Sequence, residues 1–214
     1  MRQTAVFDFD GTMIRGDSIV SLMLYAYKRR LISLPALLRG AGYGALYTMR
    51  CMDVMAVKQN AHAFLAALDS DARERFLRDF ARSLTDRVYP AARQQMEAHR
   101  RRGDLVVLCS ASCQCYMQYV AEQLQADALL CTPSAPDGTC LGPNCRGAEK
   151  VRRVYAWLDA QALSHDSIVA AYGDTKGDAP ILQASQAPVL VNAKRGLKKA
   201  LPHAQQVRWR KDCN

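Results

Sequence analysis

The sequence lacks a hydrophobic run long enough to cross a membrane. Its longest apolar stretch, residues 31–49, is interrupted by a proline, an arginine and three glycines, whereas a spanning helix needs about 18 apolar residues in succession. It also lacks a charged N-terminal segment followed by an apolar core, which is the pattern of a signal peptide. We therefore expect a cytoplasmic protein.

Low-complexity tracts and internal repeats are absent as well. Half of the 214 residues are hydrophobic and 23% are charged, which is the composition of a globular protein. A chain of this length can bury one good core and has room for a small second module.

Although the sequence has eight cysteines, none of them forms a C-x-x-C pair. The usual spacing of a zinc site or a dithiol redox site is therefore missing. We predict that most of the cysteines are buried free thiols. Three lie in residues 109–115 and three in residues 131–145, while Cys51 and Cys213 stand alone.

The formal net charge is +9 and the pI is about 9.3. No aromatic interleaving or recognition motif accompanies the basic residues, so we predict no nucleic-acid partner. A basic surface favours anionic substrates or an anionic membrane face. A basic run near the C-terminus is interpreted as a solvated face; it comprises Lys194, Arg195, Lys198, Lys199, Arg208, Arg210 and Lys211.

Short apolar strands alternate with helical segments through much of the chain, and each strand leads into a loop with polar residues. This alternation predicts an α/β fold with a doubly wound parallel sheet. The predicted strands cover residues 5–9, 105–109, 128–131, 168–172 and 188–191.

Residues 16–86 interrupt this alternation with helical patterns alone, over 19–27, 54–68 and 72–84. Between the first two, the segment Leu31–Met49 is apolar but broken by Pro35 and by glycines. The first interpretation of this segment is a buried helical hairpin. The alternative is an interfacial segment that rests on a membrane.

Three of the predicted strands end in residues that carry chemistry, and a lysine begins a helix between two of them. Because the carboxyl ends of parallel strands meet at one edge of a sheet, these residues can come together. Four carboxylates in one pocket repel each other unless a divalent cation lies among them, and oxygen ligands without histidine or cysteine favour Mg²⁺. The residues are Asp8, Asp10, Ser110, Ser112, Lys150, Asp174 and Asp178.

Phosphoryl transfer needs cations and hydrogen-bond donors around the transferred group. This set of carboxylates, magnesium, a lysine and a hydroxyl suits that reaction. Asp8 would be the nucleophile. Asp10 would protonate the leaving alkoxide and then activate water. Taken alone, the first motif could also be a strand that ends in an ordinary Asp-Gly turn with solvated carboxylates.

The motifs resemble those of the haloacid dehalogenase superfamily, in order and at suitable spacing. They are Asp8-Phe9-Asp10-Gly11-Thr12, Ser110, Lys150 and Gly173-Asp174-Thr175-Lys176-Gly177-Asp178. The residues around Ser110 and Lys150 are similar to those of the phosphoserine-phosphatase-like subfamily (IB), in which a helical cap follows the first motif. The resemblance implies a catalytic core of residues 1–15 and 87–214 and a substrate-specificity cap of residues 16–86.

The resemblance also implies roles for individual residues. Asp8 and Asp174 would bind Mg²⁺ through their side chains, and Asp10 through its backbone carbonyl. Asp178 would hold a metal-bound water or orient Lys150, which would neutralise the intermediate. The implied phosphate- and substrate-binding residues are Gly11, Thr12, Asp17, Ser110, Ala111 and Ser112.

Three features bear on the substrate. In the superfamily, an acid at the position of Asp10 is typical of phosphomonoester hydrolysis. Asp17 falls where phosphoserine phosphatases place a substrate-facing glutamate, although it can also cap a helix together with Ser18. The Ser-Leu-x-x-Arg-Val stretch that supplies a cap arginine in those phosphatases is absent, and some relatives act on lipid phosphates.

The sequence therefore predicts a Mg²⁺-dependent phosphatase that forms an aspartyl-phosphate intermediate on a small soluble organic phosphate. The alternatives are a lipid-phosphate phosphatase with a substrate like phosphatidylglycerophosphate, and a phosphate-binding module without turnover. We expect weak peripheral contact with anionic membranes at most, and no obligate protein partner.

Overall fold

A computed structural model describes residues 2–210, so that Lys211 and Cys213 lie outside the described residues. Within this range six strands form one sheet in the order β3-β2-β1-β4-β5-β6. Every neighbouring pair is parallel. The strands are β1 (Thr4–Phe7), β2 (Leu105–Cys113), β3 (Ala128–Thr132), β4 (Ile168–Gly173), β5 (Ala187–Val191) and β6 (Gln205–Val207).

Helices connect the strands, and four of them lie between β1 and α5. The α-helices are α1 (Ser18–Lys28), α2 (Leu34–Thr48), α3 (Val54–His62), α4 (Ser70–Thr85), α5 (Pro90–Arg101), α6 (Gln114–Gln123), α7 (Ala148–Ala160), α8 (Ala179–Gln183) and α9 (Arg195–Ala200). Short 3₁₀ turns cover Ala63–Ala67, His165–Ser167 and Lys176–Asp178.

The sheet separates two hydrophobic cores, because successive side chains of a strand point to opposite faces. Phe7 and Leu108 contribute to the core that includes side chains of α1, α4, α5 and α6. Val6 and Val107 contribute to the core beneath α7, α8 and α9. Helices thus cover both faces of a parallel sheet, and the prediction of a doubly wound α/β fold is confirmed.

The helices of residues 16–86 begin at side-chain caps, which explains where the chain turns between them. Asp17, Ser33, Asp53 and Asp69 each accept a hydrogen bond from a backbone N–H in the first turn of the helix that follows. Helix α4 packs against α6 beside the sheet. The division into core and cap at these boundaries stays a prediction.

Helix α2 shows that the expectation of a buried helical hairpin is wrong for the segment Leu31–Met49. No residue of α2 is buried. The helix contacts α1 closely at Gly40, where an added Cβ would lie 2.7 Å from Cε of Met23. Helix α2 also packs against α3, and the side that neither helix covers faces solvent in the described residues. Apolar composition alone could not show this, since it does not tell how many layers of helix surround a segment.

The remaining differences concern element bounds. Strand β2 runs on through Ser110–Ser112 to Cys113, whereas the sequence predicted its end at Cys109. The edge strand β6 and the short basic helix α9 were not predicted, because neither has enough apolar residues to show a period. A 3₁₀ turn replaces the last part of the helix predicted over 54–68.

Seven of the eight cysteines lie in the described residues, and all seven are free thiols. Five of these are buried, as predicted: Cys109, Cys113, Cys115, Cys131 and Cys145. No helix in the described part of the chain is long and apolar enough to cross a bilayer.

Candidate active site

Asp8 and Lys150 meet directly at the carboxyl end of β1. The backbone N–H of Asp8 donates to the carbonyl of Tyr172 at 3.0 Å, so the strand pairing holds the residue in place. The Nζ atom of Lys150, in the first turn of α7, donates to Oδ1 of Asp8 at 2.6 Å. Thr12 Oγ1 donates to the other carboxylate oxygen at 2.9 Å. The carboxylate of Asp8 is therefore fixed through both oxygens.

Asp178 shares the same lysine. Its Oδ1 accepts a hydrogen bond of 2.7 Å from Nζ of Lys150. Its Oδ2 accepts from the backbone N–H and from the hydroxyl of Thr175, both at 3.0 Å. Gly173 makes room for this arrangement, because a Cβ there would lie 2.6 Å from the Cβ of Asp178. The loop after β4 thus orients Asp178 towards Lys150.

A group of three carboxylates fits a divalent cation. Asp8, Asp174 and Asp178 each offer an oxygen, and these atoms lie within 4.8 Å of one another. The Oδ1 atom of Asp174 is buried and has no hydrogen-bond partner in the described residues, which costs free energy unless a ligand satisfies it. Gly11 approaches closely here: its φ is +80°, and an added Cβ would lie 2.3 Å from Oδ2 of Asp174. Oxygen ligands of this kind suit Mg²⁺.

The pKa values of these three carboxyl groups reflect both their burial and an excess of negative charge among them. Burial, followed by the charge of Asp178, raises the pKa of Asp8 to about 6. Burial, followed by the charge of Asp8, raises the pKa of Asp174 to about 7. Burial also opposes the ionisation of Asp178, but the ammonium of Lys150 outweighs it and holds that pKa below its ordinary value. One lysine does not balance three carboxylates, and a cation among them would favour the ionised form of each.

Asp10 lies in a separate cluster of hydroxyl groups. Its Oδ1 accepts from the backbone N–H of Ser18 at 2.8 Å. Its Oδ2 accepts from the hydroxyl of Ser18 at 2.8 Å and from the hydroxyl of Ser112. The hydroxyl of Tyr116 lies 2.8 Å from Oγ of Ser18. Burial, followed by the charge of Asp17, raises the pKa of Asp10 to about 7.

The other predicted residues surround these two groups. Ser110 is buried beside Ser112, and its Oγ accepts a hydrogen bond of 3.1 Å from the backbone N–H of Ser112. The hydroxyl of Ser112, predicted to bind phosphate, contacts Asp10 in this structure. Asp17 is exposed and caps α1, accepting from the N–H of Ile19 at 2.8 Å. The capping interpretation describes these contacts of Asp17, and its predicted contact with substrate stays a prediction.

Residues 5–183 match the protein family described as haloacid dehalogenase-like hydrolase. The match covers most of the chain and all four motifs. The chain belongs to the haloacid dehalogenase-like hydrolases.

Individual proteins are similar to this hydrolase over almost their whole length. The histidinol-phosphatase of Neisseria meningitidis serogroup C (strain 8013) is 23% identical, over 93% of this chain and 94% of its own. A solved protein of unknown function from Bordetella pertussis Tohama I has a TM-score of 0.85 at 23% identity, covering 97% of this chain and 98% of its own. A phosphoserine phosphatase, solved as an analogue of its phospho-aspartyl intermediate, has a TM-score of 0.64 at 15% identity, with coverages of 99% and 95%.

These likenesses to solved structures establish the fold, and the family match establishes the hydrolase family. The prediction of a haloacid dehalogenase-type enzyme is confirmed, and the histidinol-phosphatase named above agrees with the predicted phosphatase class.

The hydrolase has a buried lysine at its site that the sequence did not reveal. Lys58 lies on α3, and its Nζ donates to the carbonyl oxygen of Ala111, to Oγ1 of Thr132 at 3.0 Å and to Oδ1 of Asn144 at 2.6 Å. All three acceptors are neutral. Burial lowers the pKa of Lys58 below its ordinary value. No sequence signal could have found this residue, because a single lysine in a helix usually faces solvent.

Ser18 and Tyr116 were also missed as members of the hydrolase site. Ser18 was considered only as a partner of Asp17 in a helix cap, yet its N–H and hydroxyl both reach Asp10. Tyr116 lies in the first turn of α6 and is fully buried. A serine directly after a capping aspartate was the available signal for Ser18, and nothing in the sequence pointed to Tyr116.

Proposed function

We propose that this hydrolase is a Mg²⁺-dependent phosphatase that cleaves small soluble phosphomonoesters through an aspartyl-phosphate intermediate. One observation carries the proposal: two carboxylates only two residues apart have different partners. Asp8 faces the ammonium of Lys150, whereas Asp10 faces only hydroxyl groups and one N–H. Two carboxylates whose environments separate their protonation can divide the roles of nucleophile and acid.

In the first step, an oxygen of Asp8 forms a bond to phosphorus while the bond between phosphorus and the leaving alkoxide breaks. Asp10 donates its proton to that alkoxide. Lys150 stays charged throughout, because although burial disfavours the ammonium, Asp8 and Asp178 raise its pKa well above the ordinary value. The lysine therefore offsets negative charge at Asp8 as the phosphoryl group arrives.

In the second step, water attacks the phosphorus of the aspartyl phosphate, and Asp10 accepts a proton from that water. The bond between phosphorus and the Asp8 oxygen breaks, which releases inorganic phosphate and restores the carboxylate. Ser18 and Ser112 hold Asp10 in one orientation for both proton transfers, and the hydroxyl of Tyr116 contacts that of Ser18. This preorganisation avoids rearrangement when charge develops.

The ion that we propose for the site is Mg²⁺, which Asp8, Asp174 and Asp178 would hold. The unpartnered Oδ1 atom of Asp174 supports this assignment, because it is a buried acceptor that a cation would satisfy. When bound, Mg²⁺ supplies positive charge for the phosphoryl oxygens. The backbone carbonyl of Asp10 is proposed as a further ligand on the strength of the family resemblance.

The phosphate would lie beside the backbone of Gly11 and Thr12 and the segment Ser110–Ser112. We assign residues 1–15 and 87–214 to the catalytic core and residues 16–86 to a substrate-specificity cap. Contacts of Ser18 and Lys58 with the core support this assignment, since both residues reach from the helical segment to the edges of the phosphate site.

Asp17 and the named phosphatases support a narrower substrate class. Asp17 is exposed, and it lies close enough to Asp10 for its charge, after burial, to raise the pKa of that residue, which supports a contact between Asp17 and a cation on a bound substrate. Histidinol phosphate and phosphoserine both carry an amino group beside the phosphate ester. We therefore favour a small phosphate ester with an ammonium group. The exposed apolar face of α2 favours a lipid phosphate as the second candidate.

A hydrolysis screen with Mg²⁺ tests this function. The substrates are histidinol phosphate, phosphoserine, p-nitrophenyl phosphate and phosphatidylglycerophosphate in mixed micelles. We expect turnover of an amino-bearing ester, and loss of that turnover in Asp8→Asn but not in the matched control Asp166→Asn, whose carboxylate is exposed. Preference for the micellar lipid would support the second candidate. Binding of inorganic phosphate without turnover of any ester would leave only a phosphate-binding module.

A further inference from the structure

Large hydrophobic side chains are exposed on one part of the molecule. In the described residues, eight of the nine such side chains lie between residues 20 and 49, and the ninth is Leu141. Scattered exposed apolar residues are ordinary in a globular protein, but a cluster marks an interaction surface. The eight are Val20, Leu24, Tyr27, Leu31, Leu34, Leu38, Leu46 and Met49.

Their spacing places them in stripes along two neighbouring helices. Val20, Leu24 and Tyr27 follow each other at four and three residues on α1, which is one face of a helix. Leu34 and Leu38 begin an exposed stripe on α2 with the same spacing. Helices α1 and α2 pack against each other. We call the eight exposed side chains of residues 20–49 the α1–α2 face.

The charged residues within the segment that carries the α1–α2 face have one sign. Residues 18–52 contain five basic residues and no acidic residue. All five basic side chains are exposed, and Arg29 alone among them forms an ion pair in the described residues, with Asp79 at 4.0 Å. The five are Lys28, Arg29, Arg30, Arg39 and Arg50.

The chain between the two helices combines both properties. An open cavity of about 450 Å³ at this junction is lined by residues 27–28 and 30–33, which include two basic and two aliphatic side chains. Apolar side chains that insert beside acyl chains, with basic side chains at the level of the head groups, are the pattern of a helix that lies in a membrane interface.

We propose that the α1–α2 face docks on the surface of an anionic lipid bilayer. Charge complementarity selects this occupant. A second copy of the chain would bring the same five basic residues against this face, and like charges oppose such a dimer. An anionic bilayer offers negative head groups and an apolar interior at once. Docking is independent of the chemistry at Asp8 and would be peripheral, since no described helix can span the membrane.

Co-sedimentation with vesicles tests the proposal. The full-length protein is mixed with vesicles of phosphatidylcholine alone or with an equal part of phosphatidylglycerol, at low and at high salt. We expect retention on the phosphatidylglycerol vesicles at low salt and release at high salt, because salt screens attraction between exposed charges. Phosphatidylcholine alone should retain little protein.

Two double variants separate the apolar and the charged contributions. Leu38→Ser with Met49→Ser removes the two most exposed apolar side chains of the face, at 62% and 68% exposure, and should weaken binding about tenfold or more. Arg39→Gln with Arg50→Gln should weaken it about fivefold for each residue, the factor that corresponds to about 1 kcal/mol per basic side chain at an anionic surface. The control Leu141→Ser, 66% exposed elsewhere on the protein, should bind like the wild type.

Several results would overturn the proposal. One is no retention on phosphatidylglycerol vesicles at low salt. Another is equal binding by the wild type and the Leu38/Met49 variant, or equal loss in the Leu141→Ser control. Sedimentation velocity provides a third: a wild-type dimer that dissociates in the Leu38/Met49 variant would assign the face to a second copy of the chain. Unchanged hydrolysis of p-nitrophenyl phosphate by the variants shows that they fold.

Discussion

Replacement of Lys58 by methionine offers the sharpest test of how the helical segment supports the active site. Methionine keeps much of the length of the stem but removes the ammonium that contacts Ala111, Thr132 and Asn144. The carbonyl of Ala111 belongs to the segment of β2 that contains Ser110. Asn144 precedes α7, which contains Lys150. One side chain from α3 therefore connects both parts of the proposed phosphate site.

The effect on stability is expected to be small, because two large contributions oppose each other. A hydrogen bond from a charged donor contributes about 1.5–3 kcal/mol, and Lys58 donates three of them. Removing an ammonium from water costs several kcal/mol, and burial lowers the pKa of this lysine accordingly. The Thr132 hydroxyl still lies within hydrogen-bond distance of the Ala111 carbonyl, at 2.6 Å. We expect the free energy of unfolding to change by no more than about 2 kcal/mol.

The effect on catalysis is expected to be larger, since the phosphate site loses its orientation. A displacement of about 1 Å in a positioning element can cost about 100-fold in rate. We predict that Lys58→Met lowers kcat/KM for p-nitrophenyl phosphate by about 10- to 100-fold and weakens inhibition by inorganic phosphate. Lys58→Arg should recover part of the loss because it keeps the charge.

The assay combines steady-state kinetics with denaturant unfolding of each variant. Lys199→Met, an exposed lysine of α9, is the matched control and should leave kcat/KM and the inhibition constant unchanged. A stable Lys58→Met protein with kcat/KM within twofold of the wild type would refute the reasoning. So would a loss of activity that only follows the fraction of unfolded protein.

Four further predictions concern the proposed chemistry and the fold. Asp8→Asn should lower kcat by at least about 1,000-fold because an amide cannot attack phosphorus; a folded variant that keeps more than a few per cent of the wild-type rate contradicts the covalent mechanism. Activity should disappear with EDTA and return with Mg²⁺, while Ca²⁺ should inhibit because it prefers more ligands at longer distances; full activity after exhaustive chelation argues against the metal site. Asp10→Asn should slow alkyl phosphates more than p-nitrophenyl phosphate, whose leaving group needs little protonation; equal losses on both substrates would assign Asp10 a structural role. Burial lowers the pKa of His62 to about 4 from 6.5, so its neutral form stabilises the fold above pH 6.5 and this stability is lost as the pH falls. Between pH 7.5 and pH 5, the free energy of unfolding in urea should therefore fall by about 2 kcal/mol more for the wild type than for His62→Phe. Equal losses in the two proteins would mean that His62 is less buried.

The sequence predicted that several candidate site residues come together because these residues lie at or beside strand ends. Asp8, Lys150 and Asp178 are separated by long stretches of sequence, yet they meet because parallel strands bring their carboxyl ends to one edge. The apolar runs before Asp8 and Asp174 were enough to locate two of these strands. Residues placed by the sheet topology could thus be predicted without any knowledge of packing.

The residues that could not be predicted are those whose partners are neutral groups on distant segments. Lys58 binds a backbone carbonyl, a hydroxyl and an amide from three separate parts of the core. Tyr116 contacts Ser18 across nearly a hundred residues. Such contacts leave no local pattern, because each partner is common in any sequence and becomes distinctive only after folding.

Helix α2 shows a different limit of prediction from the sequence. Its leucines, glycines and tyrosines predict a helix that packs closely, and Gly40 does pack against Met23. Whether the remaining face is covered depends on the number of helices around it, which hydropathy does not encode. The sequence feature that supports the proposed docking of the α1–α2 face is the absence of acidic residues from residues 18–52.

Helix α1 carries residues of both the candidate active site and the α1–α2 face. At its N-terminus, Ser18 holds the carboxylate of Asp10, while Val20, Leu24 and Tyr27 face solvent along its length. Eleven residues span about 16 Å, so the proposed acid and the proposed lipid contact lie within one helix length. In these proposals the phosphate chemistry depends on residues at the strand ends, whereas the contacts that would select an ester or a surface come from residues 16–86. Substrate selectivity in this hydrolase should therefore follow changes in the helical segment and not changes at the strand ends.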